Sequence, residues 1–203
     1  MKKLGRDFYL RDDVVKISRE LIGKFLVTRI HNKLTSGMII ETEAYKGAVD
    51  KASHAYNYRR TARNEVMYAQ GGVAYIYLCY GIHHLFNIVT NKKDVPHAIL
   101  IRAVLPKDGI NIMLQRRNKK NITPKFSDGP GTLSQALGIK TLYSGISLLG
   151  NFIFVEDRNL NFKNKDIDTG PRIGVDYAGK DALLPYRFRL KDEVIKQNAD
   201  NWK

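Results

Sequence analysis

The sequence predicts an α+β fold in one domain, with a central, mainly antiparallel β-sheet, surrounding helices and a protruding β-hairpin. Two observations lead to this prediction. Short runs rich in β-branched and aromatic residues fill the middle of the chain, and helical patterns flank them. No internal repeat or linker divides the 203 residues, a length that one domain accommodates. We therefore expect the domain to span residues 1–203, with 191–203 as a loosely packed C-terminal tail.

The first helix is predicted over residues 11–22, where Val14, Ile17 and Leu21 share one face. An aspartate at its start can cap the helix, and Gly23 stops it. Two later helices are predicted at 109–117 and, with Thr132 as a cap, through Leu137.

The strands are predicted from apolar runs that are bounded by turn residues. These runs lie at 24–30, 38–45, 73–90, 97–105 (closed by Pro106), 152–155, 171–175 and 186–190, whereas 46–72 is expected to be irregular. Within 73–90 the turn falls at Tyr80-Gly81, which predicts a hairpin whose tip projects.

Charge is the most informative bulk property. Thirty-four Lys and Arg against twenty Asp and Glu give a net charge of +14, which favours a polyanionic partner, above all a nucleic acid. The single cysteine, Cys79, cannot form an internal disulfide, and no apolar run is long enough for a signal peptide or a membrane span. We expect a cytoplasmic protein without membrane contact.

Two carboxylates on the run 38–45 stand out in so basic a chain. In a strand, Glu41, Glu43 and Tyr45 lie on one face. The glutamates either balance nearby cations on a surface, or one stays ionised to activate a nucleophile. A third alternative is a pair of carboxylates that brackets a sugar bond, as in glycosidases.

Histidines offer little sign of a metal site. His54 alone is more often structural than catalytic, and the adjacent His83 and His84 point opposite ways in a strand. Cys-x-x-Cys and His-Glu-x-x-His motifs are absent from the sequence, and its glycine pairs lack a Walker ending. We expect neither a metal nor another cofactor.

Several motifs follow one another in a specific order along the chain. They are Glu-Thr-Glu-Ala-Tyr at 41–45, Ala-Ser-His-Ala at 52–55, Thr-Ala-Arg-Asn at 61–64, Tyr-Ile-Tyr-Leu-Cys-Tyr-Gly at 75–81, Asn-Ile at 87–88, Leu-Ile-Arg-Ala at 100–103, Pro106, Gly-Pro-Gly at 129–131, Pro-Arg-Ile-Gly-Val at 171–175 and Pro-Tyr-Arg-Phe at 185–188. Their order resembles the alkyladenine (3-methyladenine) DNA glycosylase family, and in particular its bacterial branch. The resemblance runs from about residue 6 to 190, and the block 37–106 is the most specific part.

The resemblance implies a monofunctional enzyme of base-excision repair that acts on double-stranded DNA containing damaged purines. Such an enzyme flips an alkylated or deaminated purine out of the duplex and hydrolyses its N-glycosidic bond without cutting the backbone. It implies that Glu43 activates the water and that Arg102 helps to hold it. Glu41 is shared with the motif but has no assigned role there, and we interpret it as structural. The resemblance also implies action as a monomer.

The resemblance assigns the remaining site residues to the handling of the base. Tyr45 and Tyr77 would stack on the flipped base, and His54 would enclose it from the side. Asn87 would form the pocket floor and crowd the exocyclic amine of normal guanine. Tyr80 would be the wedge that enters the gap, since an aromatic plate replaces a lost stacking partner. The alternative for the tyrosines is a set of core side chains with satisfied hydroxyls.

Two other functions compete with this one. A non-catalytic nucleic-acid-binding module that stacks single-stranded bases would explain the charge and the tyrosines, but not the adjacent carboxylates. A carbohydrate glycosidase using Glu41 and Glu43 would explain the carboxylates, but not the charge of +14.

Overall fold

A nine-stranded sheet organises the chain in the computed structural model, which describes residues 1–200. Its strands run in the order β1-β7-β2-β3-β6-β5-β4, and β9 pairs with both β3 and β8. All of these pairings are antiparallel. The strands are β1 Lys2–Lys3, β2 Phe25–Ile30, β3 Lys33–Tyr45, β4 Val73–Cys79, β5 His83–Thr90, β6 His97–Asp108, β7 Ile153–Asp157, β8 Ile167–Gly170 and β9 Arg187–Leu190.

Five α-helices and several short 3-10 segments surround the sheet. The helices are α1 Arg6–Tyr9, α2 Val14–Glu20, α3 Ile110–Arg117, α4 Pro130–Leu137 and α5 Asp192–Asp200. The 3-10 segments are Gly47–Val49, Tyr56–Tyr58, Glu65–Tyr68, Thr141–Tyr143, Asn164–Asp166 and Asp176–Leu183. The predicted α+β class with a mainly antiparallel sheet is thereby confirmed.

Helix α2 covers one face of strand β3. Its start is fixed by Asp13, whose side chain accepts hydrogen bonds from the Val15 and Lys16 amides, as the sequence predicted for an aspartate. Between α2 and β3, the buried Thr42 donates its hydroxyl hydrogen to the Ser18 carbonyl oxygen at 2.9 Å. This pairing places Thr42 against the helix, so Glu41 and Glu43 are presented on the opposite face of the strand.

The centre of the sheet is bent by irregular pairing between β3 and β6. The register shifts at Ser36/Gly37 and on both sides of Glu41. Gly37 pairs with Pro106, and a Cβ at Gly37 would lie 2.8 Å from Val104, so only glycine permits this close approach. The predicted end of the strand at Pro106 was therefore wrong: the proline lies at a bulge, and β6 continues to Asp108.

Three other predicted boundaries are corrected. The first helix spans only 14–20 and not 11–22, although Gly23 does follow it in a left-handed conformation (φ +85°). Helix α4 begins at Pro130 with Gly129 as its cap, and Thr132 instead donates its hydroxyl hydrogen to the Gly129 carbonyl from within the first turn.

The third correction concerns the predicted strand at 171–175, which is irregular. Pro171 lacks an amide hydrogen, and Gly174 adopts φ +75°. The Ile173 amide bonds to a carboxylate and not to a neighbouring strand. Strand β8 ends just before this segment, at Gly170.

Helix α5 occupies most of the segment expected to be a tail, and Val194 and Ile195 pack partly buried against the main core. Residues 201–203 of that predicted tail lie outside the described part of the chain. Over residues 1–200, no helix combines the length and apolarity needed to cross a membrane. In the same part of the chain, no three His, Cys, Asp or Glu side chains gather as a metal-binding group.

Candidate active site

A cavity of about 240 Å³ opens between the β4–β5 hairpin, the ends of β3 and β6, and the segment that follows β8. Six of the predicted site residues line it directly: Tyr45, His54, Tyr77, Tyr80, Asn87 and Arg102. The other lining residues are Ala52, Ser53, Met67, Tyr75, Cys79, Leu85, Ala98, Leu100, Ile173, Gly174, Val175 and Tyr177.

Glu43 lies immediately behind the cavity wall and is fully buried. Its Oε2 atom accepts a hydrogen bond from the Tyr45 hydroxyl at 2.9 Å, and its Oε1 atom accepts one from the Ile173 amide at 2.8 Å. Arg102 Nη1 is 3.3 Å from Oε1. The three residues that contact this carboxylate all line the cavity: Tyr45, Arg102 and Ile173. Glu43 is therefore separated from the cavity by a single layer of residues.

Opposing effects set the acidity of Glu43. Burial raises the pKa of this carboxyl above its ordinary value, and the Arg102 charge and the bonds from Ile173 and Tyr45 oppose that rise. Burial, followed by the neighbouring Glu43 charge, also raises the pKa of Tyr45 well above its usual range. Tyr45 therefore stays a neutral phenol and donates a hydrogen bond to the carboxylate.

Glu41 occupies a different environment from Glu43. Its Oε1 atom is 3.2 Å from Arg102 Nε and 2.9 Å from Arg187 Nη1, while its Oε2 atom is 2.9 Å from Arg189 Nη1. Glu41 is thus enclosed by three arginines, whereas Glu43 is close to one. Its ion pairs fasten β9 to β3 and orient Arg102, which agrees with a structural role.

Three aromatic side chains form one wall of the cavity. The His54 and Tyr77 rings meet edge to face with centroids 4.7 Å apart, and Tyr75 lies 5.5 Å from Tyr77 at a tilt of 34°. The Tyr75 hydroxyl is 2.8 Å from His54 Nδ1. Burial, then the Arg63 and Arg59 charges, lowers the pKa of His54, so the imidazole is neutral near pH 7.

Asn87 is buried on the cavity side of strand β5. Its Nδ2 atom donates to the carbonyl oxygens of Tyr75 at 3.1 Å and Leu85 at 3.2 Å. The side chain is therefore fixed to the backbone of the hairpin that also carries Tyr77. This anchoring gives the cavity floor a defined position.

Tyr80 projects from the tip of the hairpin and is 92% exposed. It adopts a left-handed backbone conformation (φ +52°), as does Gly81 (φ +73°). A bulky aromatic residue pays a steric penalty there, and such strain clusters at functional sites. Because Tyr80 makes no core contacts and borders the cavity, the alternative of a core tyrosine does not hold for this residue.

The comparisons with known proteins agree with this geometry. A family model described as methylpurine-DNA glycosylase matches residues 7–194. This chain belongs to the methylpurine-DNA glycosylase family. The resemblance seen in the sequence motifs is thereby confirmed, and family membership places the chain among the DNA glycosylases of base-excision repair.

Bacterial relatives match this chain over nearly its whole length. A protein of Chlamydia felis is 49% identical over 196 residues, which cover 96% of this chain and 99% of the relative. One of Chlamydia pneumoniae is 44% identical over 191 residues (94% and 96%). One of Desulfitobacterium hafniense is 41% identical over 199 residues (95% and 97%). All three carry the name "Putative 3-methyladenine DNA glycosylase".

The methylpurine-DNA glycosylase fold also brings residues to the site that sequence reasoning left without a role. Arg172 is buried and pairs with Asp50, with Nη2 2.9 Å from Oδ1, and its guanidinium lies 4.8 Å from the centre of the Tyr45 ring. The Tyr177 hydroxyl donates to the Ala52 carbonyl at 3.1 Å. The motif at 171–175 was the available signal, but it did not indicate which atoms would face the cavity.

Proposed function

We propose that this chain is a monofunctional purine-DNA glycosylase that removes alkylated or deaminated purines from double-stranded DNA and leaves an abasic site. One observation carries the proposal: a buried carboxylate, Glu43, held by Arg102 directly behind a cavity walled by aromatic rings. The aromatic wall suits a base, and the carboxylate suits activation of water. Neither feature alone would point to hydrolysis of an N-glycosidic bond.

The aromatic wall supports capture of a flipped purine. Base–aromatic stacking contributes roughly 1–3 kcal/mol per base, and Tyr45 and Tyr77 would supply the two faces. A purine that is alkylated at N3 or N7 is cationic, so the electron-rich rings would attract it more strongly than a normal base, by about 1–2 kcal/mol. His54, neutral and tied to Tyr75, would close the side of the pocket.

The chemistry would proceed through one activated water. Glu43 accepts a proton from the water while the water oxygen bonds to C1′ of the sugar. The bond from C1′ to the base nitrogen breaks, and its electron pair leaves with the base. A cationic alkylated purine thereby departs neutral, whereas a neutral deaminated purine needs an added proton. Arg102 would hold the water and keep Glu43 ionised against the effect of burial.

Flipping would depend on Tyr80 at the hairpin tip. Extruding a base costs a few kcal/mol, and least for damaged or mispaired bases. A rigid aromatic ring that enters the vacated space restores part of the lost stacking. The 92% exposure of Tyr80 and its place beside the cavity support this role, and the charge of +14 supports binding of the duplex.

We also propose that the protein acts as a monomer. Its place of action would be the bacterial cytoplasm, at the nucleoid. A carbohydrate glycosidase that uses Glu41 and Glu43 is disfavoured, because Glu41 is engaged by three arginines. The proposal also disfavours a binding module without catalysis, which would gain nothing from a buried carboxylate at a cavity meant for bases.

Release of free purine from methylated duplex DNA in the presence of EDTA tests the proposal. We expect free 3-methyladenine or 7-methylguanine, and a DNA backbone that breaks only after alkali treatment. A binding module and a carbohydrate glycosidase would release no base. Intact DNA with every purine retained, under conditions where the protein binds the duplex, would overturn the proposed function.

A further inference from the structure

A second cavity, of about 550 Å³, lies between the β4–β5 hairpin and the α3–α4 helix pair. Ile82 of the turn, His83 at the first position of β5 and His84 line it, whereas Leu85 and Asn87 line the first cavity. Beyond the turn, His84 alternates with Leu85 and Asn87 along β5, so there the two cavities lie on opposite sides of the hairpin. Ile82 is next to the tip and 70% exposed, so the second cavity opens close to Tyr80.

Arg116 and Lys140 give this second cavity positive charge. His31, His83 and His84 line it as well, and none of the described residues in its lining is an aspartate or a glutamate. Arg116 is half-buried, and within residues 1–200 it forms no ion pair with a carboxylate. Burial lowers the pKa of Arg116, which reflects a charge removed from water without a counter-ion.

The contacts of Arg116 within the protein do not neutralise it. Its Nη1 atom donates to the Thr35 hydroxyl at 3.1 Å and to the Ala136 carbonyl at 3.2 Å. The second bond covers the carboxyl end of α4, which would otherwise bring partial negative charge to the cavity. Both acceptors are uncharged, so the guanidinium keeps its full charge for an external anion.

Hydrogen-bond donors accompany the charge. Ser134 lies in the cavity wall, and its hydroxyl is buried without a partner in the structure. The His84 Nδ1 atom accepts a hydrogen bond from the Thr141 amide at 3.1 Å, which leaves the ring proton on Nε2. An unpartnered buried hydroxyl is unusual in a folded protein, and Ser134 therefore adds a donor without an internal acceptor to this wall.

We propose that this cavity binds a backbone phosphate of the DNA strand opposite the lesion. The proposal rests on the proposed function, since it assumes that Tyr80 enters the duplex. The flipped nucleotide occupies the first cavity, so the opposite side of the hairpin faces the strand that stays stacked. A phosphodiester oxygen needs cations and hydrogen-bond donors, and this cavity provides Arg116, Lys140 and the Ser134 hydroxyl without a competing carboxylate.

The Lys140→Gln variant tests the site, because Lys140 is exposed and its loss should leave the fold intact. The matched control is Lys2→Gln, an exposed lysine on β1 at the opposite edge of the sheet. Binding to undamaged duplex is measured over a range of salt concentrations, so the result does not depend on base excision. For Lys140→Gln we expect the plot of log K against log salt to lose about one unit of slope. The control should keep the wild-type slope.

Two further binding measurements identify which DNA strand the second cavity contacts. Affinity for single-stranded DNA carrying the lesion should be the same for Lys140→Gln and for the wild type. Neutral methylphosphonate linkages, placed one at a time in the complementary strand, should weaken wild-type binding at one or two positions and have no further effect on Lys140→Gln. An unchanged salt slope, or sensitivity to linkages in the lesion strand only, would overturn the proposal while leaving the glycosylase function standing.

Discussion

Arg102 bridges the two glutamates of strand β3: its Nη1 atom is 3.3 Å from Glu43 Oε1, and its Nε atom is 3.2 Å from Glu41 Oε1. The two carboxylates nevertheless differ in their other partners. Glu41 is bound by two further arginines, Arg187 and Arg189, whereas Glu43 has the neutral donors Tyr45 and Ile173. Glu43 therefore has fewer cationic partners than Glu41, which supports its proposed role as the base.

The Glu43→Gln variant should lose base release and still bind lesion DNA. The amide keeps the shape of the side chain but cannot accept a proton from water, and loss of a general base costs roughly 10²–10⁴-fold in rate. Single-turnover excision and a binding titration measure the two effects separately. Glu193→Gln, a change on the exposed face of α5, is the control. Near-normal excision by Glu43→Gln would remove Glu43 from the mechanism.

The Glu41→Gln variant should be destabilised more than it is inactivated. Removing one partner of a buried ion-pair cluster leaves charges uncompensated and costs about 3 kcal/mol in the free energy of unfolding. Chemical denaturation gives that quantity, and excision is measured at a temperature where the variant is folded. If the folded variant loses as much activity as Glu43→Gln, the two glutamates act as a catalytic pair and the structural assignment of Glu41 is wrong.

The Tyr80→Ala variant should lose activity in proportion to how well the target base is stacked. The loss of one stacking contact, roughly 1–3 kcal/mol, corresponds to about 5- to 150-fold in a paired duplex. The defect should shrink for mispaired hypoxanthine and for single-stranded substrate. Because Tyr80 is 92% exposed, the melting temperature should not fall. Equal losses on all substrates would show that Tyr80 does not act on flipping.

The Asn87→Gly variant should excise more undamaged guanine than the wild type. Removing the side chain enlarges the cavity floor where the guanine amine would otherwise be crowded, which is worth about 1–3 kcal/mol of discrimination. The two bonds from Asn87 to the hairpin carbonyls are also lost, so release of 3-methyladenine is measured in parallel to detect a loosened pocket. Background guanine release with intact 3-methyladenine activity would make Asn87 a purely structural residue.

The pH dependence of excision should report the pKa of Glu43. Since burial raises that pKa, activity should increase with pH through a value above that of an ordinary glutamate. The Arg102→Gln variant removes the charge that opposes the rise, so its acidic limb should move to higher pH. Single-turnover rates across pH, with Lys2→Gln as the control, measure the shift. An acidic limb that is the same in wild type and Arg102→Gln would argue against Glu43 as the base.

The sequence predicted most of the sheet because its strands have strong local patterns. The hairpin at Tyr80-Gly81 is an example, since alternation and a turn residue act over only a few positions. The errors occurred where distant contacts override local preference. Pro106 is tolerated inside β6 because it faces Gly37. The segment 171–175 stays irregular because the Ile173 amide bonds to Glu43 and the Arg172 side chain pairs with Asp50.

As with the sheet, the sequence predicted those parts of the candidate site that lie in local motifs. Side chains such as Tyr45 and Arg102 belong to recognisable motifs, and the structure places them around one cavity, although their roles remain predictions. The hydrogen bond from the Ile173 amide to Glu43 could not be predicted, because nearly every residue has a backbone amide and no residue type identifies this one. The partnership of Arg172 with Asp50 joins residues 122 positions apart, and no local pattern encodes it.

The buried Arg172–Asp50 pair couples the local stability of two segments beside the cavity. It joins the segment after β3 to the segment after β8, and the bonds from Lys51 to Asp181 and from Tyr177 to Ala52 reinforce the junction. The two segments should therefore unfold locally as one cooperative unit, with nearly equal hydrogen-exchange protection. Disruption of the Arg172–Asp50 pair would therefore unfold the two segments beside the cavity while the sheet beneath them stayed folded.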